Sequence, residues 1–335
     1  VQSARNSGAD SPPVRVHEPQ NSLSTNVTAA TVAVEERVNE RAQTLKEAVP
    51  VPSDRLAPAR WLEGIAKNTK GRLFPWVLIP PERRYRLYMP VGIPNDQPHA
   101  RPRAMVVMIH DCRQDAETFA EATRINALAD RDGFVVLYPD QSDLANLHRG
   151  WNWFQPQTLA GQGEAAILLT MIGLAAERAN VDPAHILIAG LSSGGAMAAL
   201  LAYLHPEQFA RVVVYSCLAP FSANSIPNAL AAKRDGPTLD MPALTRQYWR
   251  THQLPPPLLI IQGDADITVS PSKADALLDL WANLNQAESP APLVRAESNT
   301  PETELNRAFR NTRLHAQDSR NTVAEQVNIV GLAHT

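Results

Sequence analysis

Apolar positions in this chain come mostly in short unbroken runs. Met105-Val-Val-Met-Ile109, Phe134-Val-Val-Leu-Tyr138, Ile186-Leu-Ile-Ala189, Val212-Val-Val-Tyr215 and Leu258-Leu-Ile-Ile261 have no polar residue to turn toward water. An alternating strand buries one face, whereas a continuous apolar run predicts a strand covered on both. Between the runs the spacing becomes helical. Ala116–Arg131 predicts one helix, stopped by Gly133. Glu164–Asn180 predicts a second, with Leu168, Leu169, Ile172, Leu174 and Ala175 inward. Gly195–Leu204 and Ser272–Leu284 predict two more. Arg84–Met89 alternates and reads as an earlier strand, and Val327–Val330 as the last one. Short buried strands alternating with helices predict an α/β class: a mostly parallel sheet with helices on both faces.

Residues 1–57 break this pattern. They are rich in Ser, Pro, Asn, Val and charge, and contain no aromatic residue. Thr31–Val49 has the spacing of a polar helix, broken by Val49-Pro-Val-Pro-Ser53. The expectation is a flexible tail or linker over 1–57 and a globular catalytic domain over 58–335. Asn26-Val-Thr28 is a glycosylation sequon, and the chain opens on Val1, as a processed chain or a fragment would.

Composition narrows the function classes. At 335 residues and 44% hydrophobic content the chain can bury a large core. A net charge of −3 with no long basic block argues against nucleic acid or an anionic membrane as the main partner. No apolar run approaches the ~20 residues of a membrane span. Two cysteines, Cys112 and Cys217, exclude a disulfide framework. No Cys/His cluster has zinc spacing and no Gly-rich phosphate loop is present, so neither a metal nor an organic cofactor is expected.

The candidate chemistry lies where the strand at Ile186–Ala189 runs into a helix. Gly190-Leu-Ser-Ser-Gly194 fits the G-x-S-x-G nucleophile elbow. The flanking glycines remove side chains that would clash with the neighbouring strand and helix. Ser192 is then exposed, and the N–H of Ser193 is free to face an oxyanion. A serine needs a base, and the base an orienting acid, in the order Ser, Asp or Glu, His. Leu258-Leu-Ile-Ile-Gln-Gly-Asp-Ala-Asp266 ends a strand with two candidates, Asp264 and Asp266. Of the histidines beyond Ser192, His252 precedes the acid and His315 lies in a polar stretch. His334, after the last strand, fits the base. The segment from His110 to Gln114 follows an earlier strand and occupies the place of a second oxyanion donor. Trp151 and Trp153 follow a strand on the same side. They are candidates to line an apolar acyl or polymer groove, with core packing the alternative that suits Trp151 better.

Several of these stretches together resemble the poly(3-hydroxybutyrate) depolymerase family of esterases, α/β-hydrolases related to acetylxylan and feruloyl esterases. "RRYRLYMP", "VVMIHDCRQDAETFA", "WNWFQP", "GQGEAAIL", "VDPAHILIAGLSSGGAMAA", "GDADITVSP" and "GLAHT" fall in the family's order, from about Arg83 onward. The resemblance implies the α/β-hydrolase fold, Ser192 as nucleophile, Asp266 as acid, His334 as base, and the N–H groups of Cys112 and Ser193 as the oxyanion hole. It implies an acyl-enzyme ester hydrolase acting on poly- or oligo-(3-hydroxybutyrate)-like or short-chain esters. It also implies export, with a cytoplasmic location as the alternative. No nucleic-acid or membrane partner is expected.

Three departures qualify it. Asp111 stands where the family usually has Gly. A carboxylate there could oppose the oxyanion, and a non-Gly residue costs energy if φ must be positive. The favoured expectation is that Asp111 points to solvent. Gly150 stands where many relatives have Cys, so a disulfide from Cys112 is lost, and Cys112 and Cys217 are not expected to pair. The chain stops one residue after His334, which reads as a truncation with a poorly held base. The competing functions are a feruloyl/acetylxylan-type esterase and a degenerate hydrolase fold that binds esters without turnover.

Overall fold

Ten strands form one sheet in the order β1-β2-β4-β3-β5-β6-β7-β10-β9-β8 among the described residues of the computed structural model. Those residues are 58–67, 82–92, 102–235, 245, 253–288, 291–303, 307–317 and 321–334. The tail expected over 1–57, with its helix at 31–49, lies outside them. The strands are β1 (Arg60–Lys67), β2 (Glu82–Met89), β3 (Arg103–Ile109), β4 (Val135–Pro139), β5 (Val181–Leu191), β6 (Arg211–Tyr215), β7 (Leu258–Gly263), β8 (Leu293–Thr300), β9 (Phe309–Ala316) and β10 (Thr322–Ile329). β4, β3, β5, β6, β7 and β10 run parallel, and antiparallel pairs close both edges. The helices are α1 (Ala116–Thr123), α2 (Ile125–Asp132), α3 (Pro156–Leu159), α4 (Gly163–Ala179), α5 (Ser193–Leu204), α6 (Ile226–Asp235) and α7 (Ser272–Glu288).

The unbroken apolar runs serve two layers at once. Met105, Val107 and Ile109 join one buried cluster with Leu168 and Ile172 of α4 and Met197 and Leu200 of α5. Met108, on the opposite face of the same strand, joins Val136, Tyr138 and Phe119 of α1. Each residue therefore meets a helix whichever way it points, the reason no polar position survives in the run.

Two helix expectations need correction. The single helix expected over Ala116–Arg131 is two, because Arg124 turns left-handed (φ 53°) and its N–H closes α1 on the Ala120 carbonyl at 3.0 Å. No Gly or Pro announces that break. In α4, Leu168, Ile172 and Ala175 are buried as expected, but Leu174 is exposed and Leu169 only half-buried. Residue 174 lies well round the helix from 168 at 100° per residue, and Met171 takes the inward place.

Candidate active site

Ser192 sits between β5 and α5 at φ 52°, ψ −113°. Non-glycine residues rarely enter this region, and the conformation costs roughly 1–3 kcal/mol that the surroundings must offset. Part of that comes from the Ser192 N–H, which donates to the Tyr215 carbonyl of β6 at 2.8 Å. The turn also needs backbone to pass against backbone. A Cβ on Gly190 would overlap the Gly194 carbonyl, and one on Gly194 would overlap the backbone of Ile109 and His110. The two glycines thus let α5 start directly beneath β3 and β5.

The structure brings His334 to Asp266 and not to Asp264. His334 Nδ1 is 2.9 Å from Asp266 Oδ2. Asp266 lies in the loop after β7, buried, and accepts from the backbone N–H of Thr268 (2.8 Å) and Val269 (2.9 Å), from Gln262 Nε2 (3.2 Å) and from Ser216 Oγ. Burial alone would raise its pKa; Ser216, the Val269 N–H and His334 outweigh it and hold the carboxyl below the usual range. Asp264 instead accepts from the Gly331 N–H at 2.6 Å. The segment carrying His334 is also held by Tyr215 Oη on the Ala333 carbonyl (2.6 Å) and Arg307 Nη1 on the Gly331 carbonyl (2.7 Å). The poorly held base expected from the sequence is therefore corrected: these bonds fix the backbone on both sides of Leu332.

Asp111 does not point to solvent. The residue is buried, 9% exposed, and its carboxylate is turned into the site. Oδ1 accepts from the Ser193 N–H and from Ser193 Oγ, both at 3.2 Å. Oδ2 stands 3.7 Å from His334 Nε2. Nor is the backbone strained there, since the left-handed residue of this loop is Arg113 (φ 63°). Burial works against ionising Asp111, but His334 and the N–H groups of Cys112 and Ser193 outweigh it and keep its pKa low. His334 shows the converse. Burial disfavours the imidazolium, yet Asp111 and Asp266 together raise its pKa above the ordinary 6.5. His334 Nε2, the atom facing away from Asp266, is buried with no hydrogen-bond partner among the described residues.

A polar network that the sequence reading missed supports this loop. His110 Nε2 accepts from the Gln141 N–H at 3.2 Å, which leaves Nδ1 to donate to the Asp111 carbonyl at 2.7 Å. Burial lowers the His110 pKa, consistent with that neutral ring. Trp151 Nε1 donates to the His110 carbonyl at 3.1 Å. Behind them, Glu164 accepts from Gln141 Nε2 (2.7 Å), Asn152 N (2.7 Å), Asn152 Nδ2 (2.9 Å) and Arg83 Nη2 (3.3 Å). The signal was a carboxylate at the start of an apolar helix, ordinary enough to read as a surface residue near a helix N-terminus.

Beside Ser192 a cavity of about 180 Å³ is lined by Trp151, Trp153, Phe154, Leu218, Leu230 and Val269, among others. Trp151 and Trp153 are both buried, so each packs and lines at once. Cys112 and Cys217 are free, on opposite sides of β5, and burial raises both thiol pKa values.

Comparison with known proteins gives the family. The family model for esterase PHB depolymerase matches residues 83–303. Poly(3-hydroxyalkanoate) depolymerase C of Paucimonas lemoignei is 28% identical over 201 residues, 58% of this chain and 47% of that protein, so the chain spans about half the length of that relative. Feruloyl esterase B of Thermothelomyces thermophilus is 26% identical over 209 residues, 59% of this chain and 69% of that one. Among solved structures, an acetyl xylan esterase from Aspergillus awamori superposes with a TM-score of 0.59 at 22% identity, covering 76% of this chain and 89% of its own. That likeness concerns the fold, which is the α/β-hydrolase fold. With two thirds of its length under the family model, the chain belongs to the esterase PHB depolymerase family of carboxylic ester hydrolases.

Proposed function

We propose that the chain hydrolyses carboxylic esters through an acyl-enzyme on Ser192. Ser192 Oγ attacks the ester carbonyl and its proton passes to His334 Nε2. Asp266 holds the imidazole tautomer and stabilises its charged form. The tetrahedral oxyanion falls to the N–H groups of Cys112 and Ser193. The alcohol leaves with the proton from His334, and water repeats the sequence to free the acid. The observation that carries this reading is the His334–Asp266 hydrogen bond at 2.9 Å, formed between the loops that follow β10 and β7 in the same sheet that presents Ser192.

The substrate class we propose is a short 3-hydroxyacid ester, oligomer or polyester. A cavity of about 180 Å³ with apolar walls is small beside the roughly 300–1,000 Å³ of sites for drug-sized ligands, and it suits a short acyl group. A feruloyl- or acetylxylan-type activity is the second reading, supported by relatives bearing those names. Export belongs to the proposal as well, from the family resemblance. No described helix is long and apolar enough to cross a membrane.

Mass spectrometry after fluorophosphonate treatment tests the nucleophile. A covalent adduct on the Ser192 peptide, absent from Ser192→Ala, is the expected result, and an unlabelled wild type refutes the reading. Initial rates on 3-hydroxybutyrate oligomers, feruloyl esters and acetylated xylan then rank the substrates. Faster turnover of either of the latter two would displace the hydroxyacid ester.

A further inference from the structure

This inference rests on the reading of Ser192 as nucleophile. In that reading an ester carbonyl needs the N–H groups of Ser193 and Cys112 open toward it. In this structure the Ser193 N–H faces an internal anion. Asp111 Oδ1 takes the Ser193 N–H at 3.2 Å and the Ser193 hydroxyl at the same distance. Oδ2 is 3.7 Å from His334 Nε2, which has no hydrogen bond of its own among the described residues. One oxygen on an oxyanion donor and one toward the imidazole is the pose expected of the acid product after deacylation. The backbone does not force it. Asp111 is not left-handed, and its own N–H is satisfied separately by Gln114 Oε1 at 3.0 Å.

We propose that the Asp111 carboxylate is a resident ligand of the oxyanion site, a built-in mimic of the carboxylate product, and that an ester reacts only after displacing it. Two consequences follow. Esters whose acyl group gains most from the apolar cavity beside Ser192 displace it best, so Asp111 sharpens selection by acyl fit. Free carboxylates, which would compete for an open site, find it taken.

The test measures the rate of fluorophosphonate labelling of Ser192 in wild type, Asp111→Gly and Asp111→Ala, each with and without excess acetate. Folding of each variant is checked by urea melt, and the alanine variant decides if the glycine variant does not fold. Emptying the site should speed labelling by up to about 10²-fold, the scale of one oxyanion donor. Acetate should slow labelling of the variants and leave the wild type unchanged. Equal labelling rates in wild type and a folded variant overturn the proposal while leaving the nucleophile intact. Faster labelling without acetate protection means a loosened loop, and overturns it too. Labelling in none of the three proteins refutes the nucleophile reading, and this inference with it.

Discussion

Substituting Gly150→Cys should create a disulfide with Cys112. A Cβ built on Gly150 lies 2.5 Å from Cys112 Sγ. In a formed disulfide each Cβ sits about 3 Å from the opposite sulfur, so the bond needs a shift of about half an ångström. Gly150 does not have a positive φ, so a side chain there is not strained by the backbone. The bond would close a loop of about 39 residues, for which the chain-entropy model gives about 4 kcal/mol, less whatever strain the shift costs. The same contact makes the control informative. Gly150→Ser places a similar atom against the sulfur without the option of bonding, and should destabilise. The measurements are thiol titration of the denatured protein and thermal melts with and without reductant. One free thiol, Cys217, and a melting temperature lowered by reductant are expected. Three free thiols after air oxidation, or a melt indifferent to reductant, would refute the reasoning from this contact.

Other perturbations probe the rest of the site. Gly263→Ala would drive a Cβ into the Leu332 carbonyl, two residues from His334; ester hydrolysis should fall at least about tenfold with an unchanged far-UV spectrum, on the scale by which small misplacements cost rate, and full activity would show that the base tolerates the shift. Arg83→Ala leaves Glu164 buried beside an empty space, since their side chains are 1% and 7% exposed; removal of one partner from a buried pair costs roughly 3–5 kcal/mol, read from the urea midpoint. His334 must be neutral to act as base, and burial that would lower its pKa is outweighed by Asp111 and Asp266. Activity should therefore rise with pH along a limb above 6.5. Asp111→Asn should move that limb toward lower pH, and an unmoved limb would separate Asp111 from His334. The linked stability runs the opposite way: the protonated form is favoured on folding, so this contribution is complete below about 6.5 and is lost as pH rises through the folded value.

The sequence announces what depends on local pattern and hides what depends on approach. β3, β4, β5, β6 and β7 are legible because double burial erases polar positions. The elbow is legible because two close backbone contacts demand glycine at 190 and 194. β8 and β9 are not, since β8 is an outer strand with six of its eight residues exposed and so carries no apolar run. His315, set aside as part of a polar stretch, is a half-buried member of β9. The α1–α2 break rests on one left-handed arginine with no breaker residue. Asp264 and Asp266 are equivalent as letters; they part only because one loop turns Asp266 under Ser216 and leaves Asp264 to cap Gly331. Asp111 misled for the same reason. Its neighbours in sequence suggest a solvent-facing loop, whereas the donors that draw it inward, Ser193 and His334, lie 82 and 223 positions away.

The two carboxylates that face His334 are not equivalent, and the difference bears on how the site works. Asp266 is met by two backbone N–H groups, Gln262 and Ser216, so its charge is compensated whether or not the imidazole carries a proton. Among the described residues, Asp111 has only the Ser193 N–H and hydroxyl besides His334. When His334 is protonated, Asp111 shares its charge with the imidazolium. When His334 is neutral, as a base must be, that partner is lost and the buried carboxylate depends on the Ser193 N–H and hydroxyl, because an uncompensated charge in the interior is costly. The protonation state that prepares His334 to act is thus the one in which Asp111 holds the oxyanion site most firmly. In the proposed mechanism an ester must therefore displace Asp111 while its hold on the Ser193 N–H is strongest, before Ser192 gives up its proton, which makes the fit of the acyl group in the cavity the term that decides which esters react.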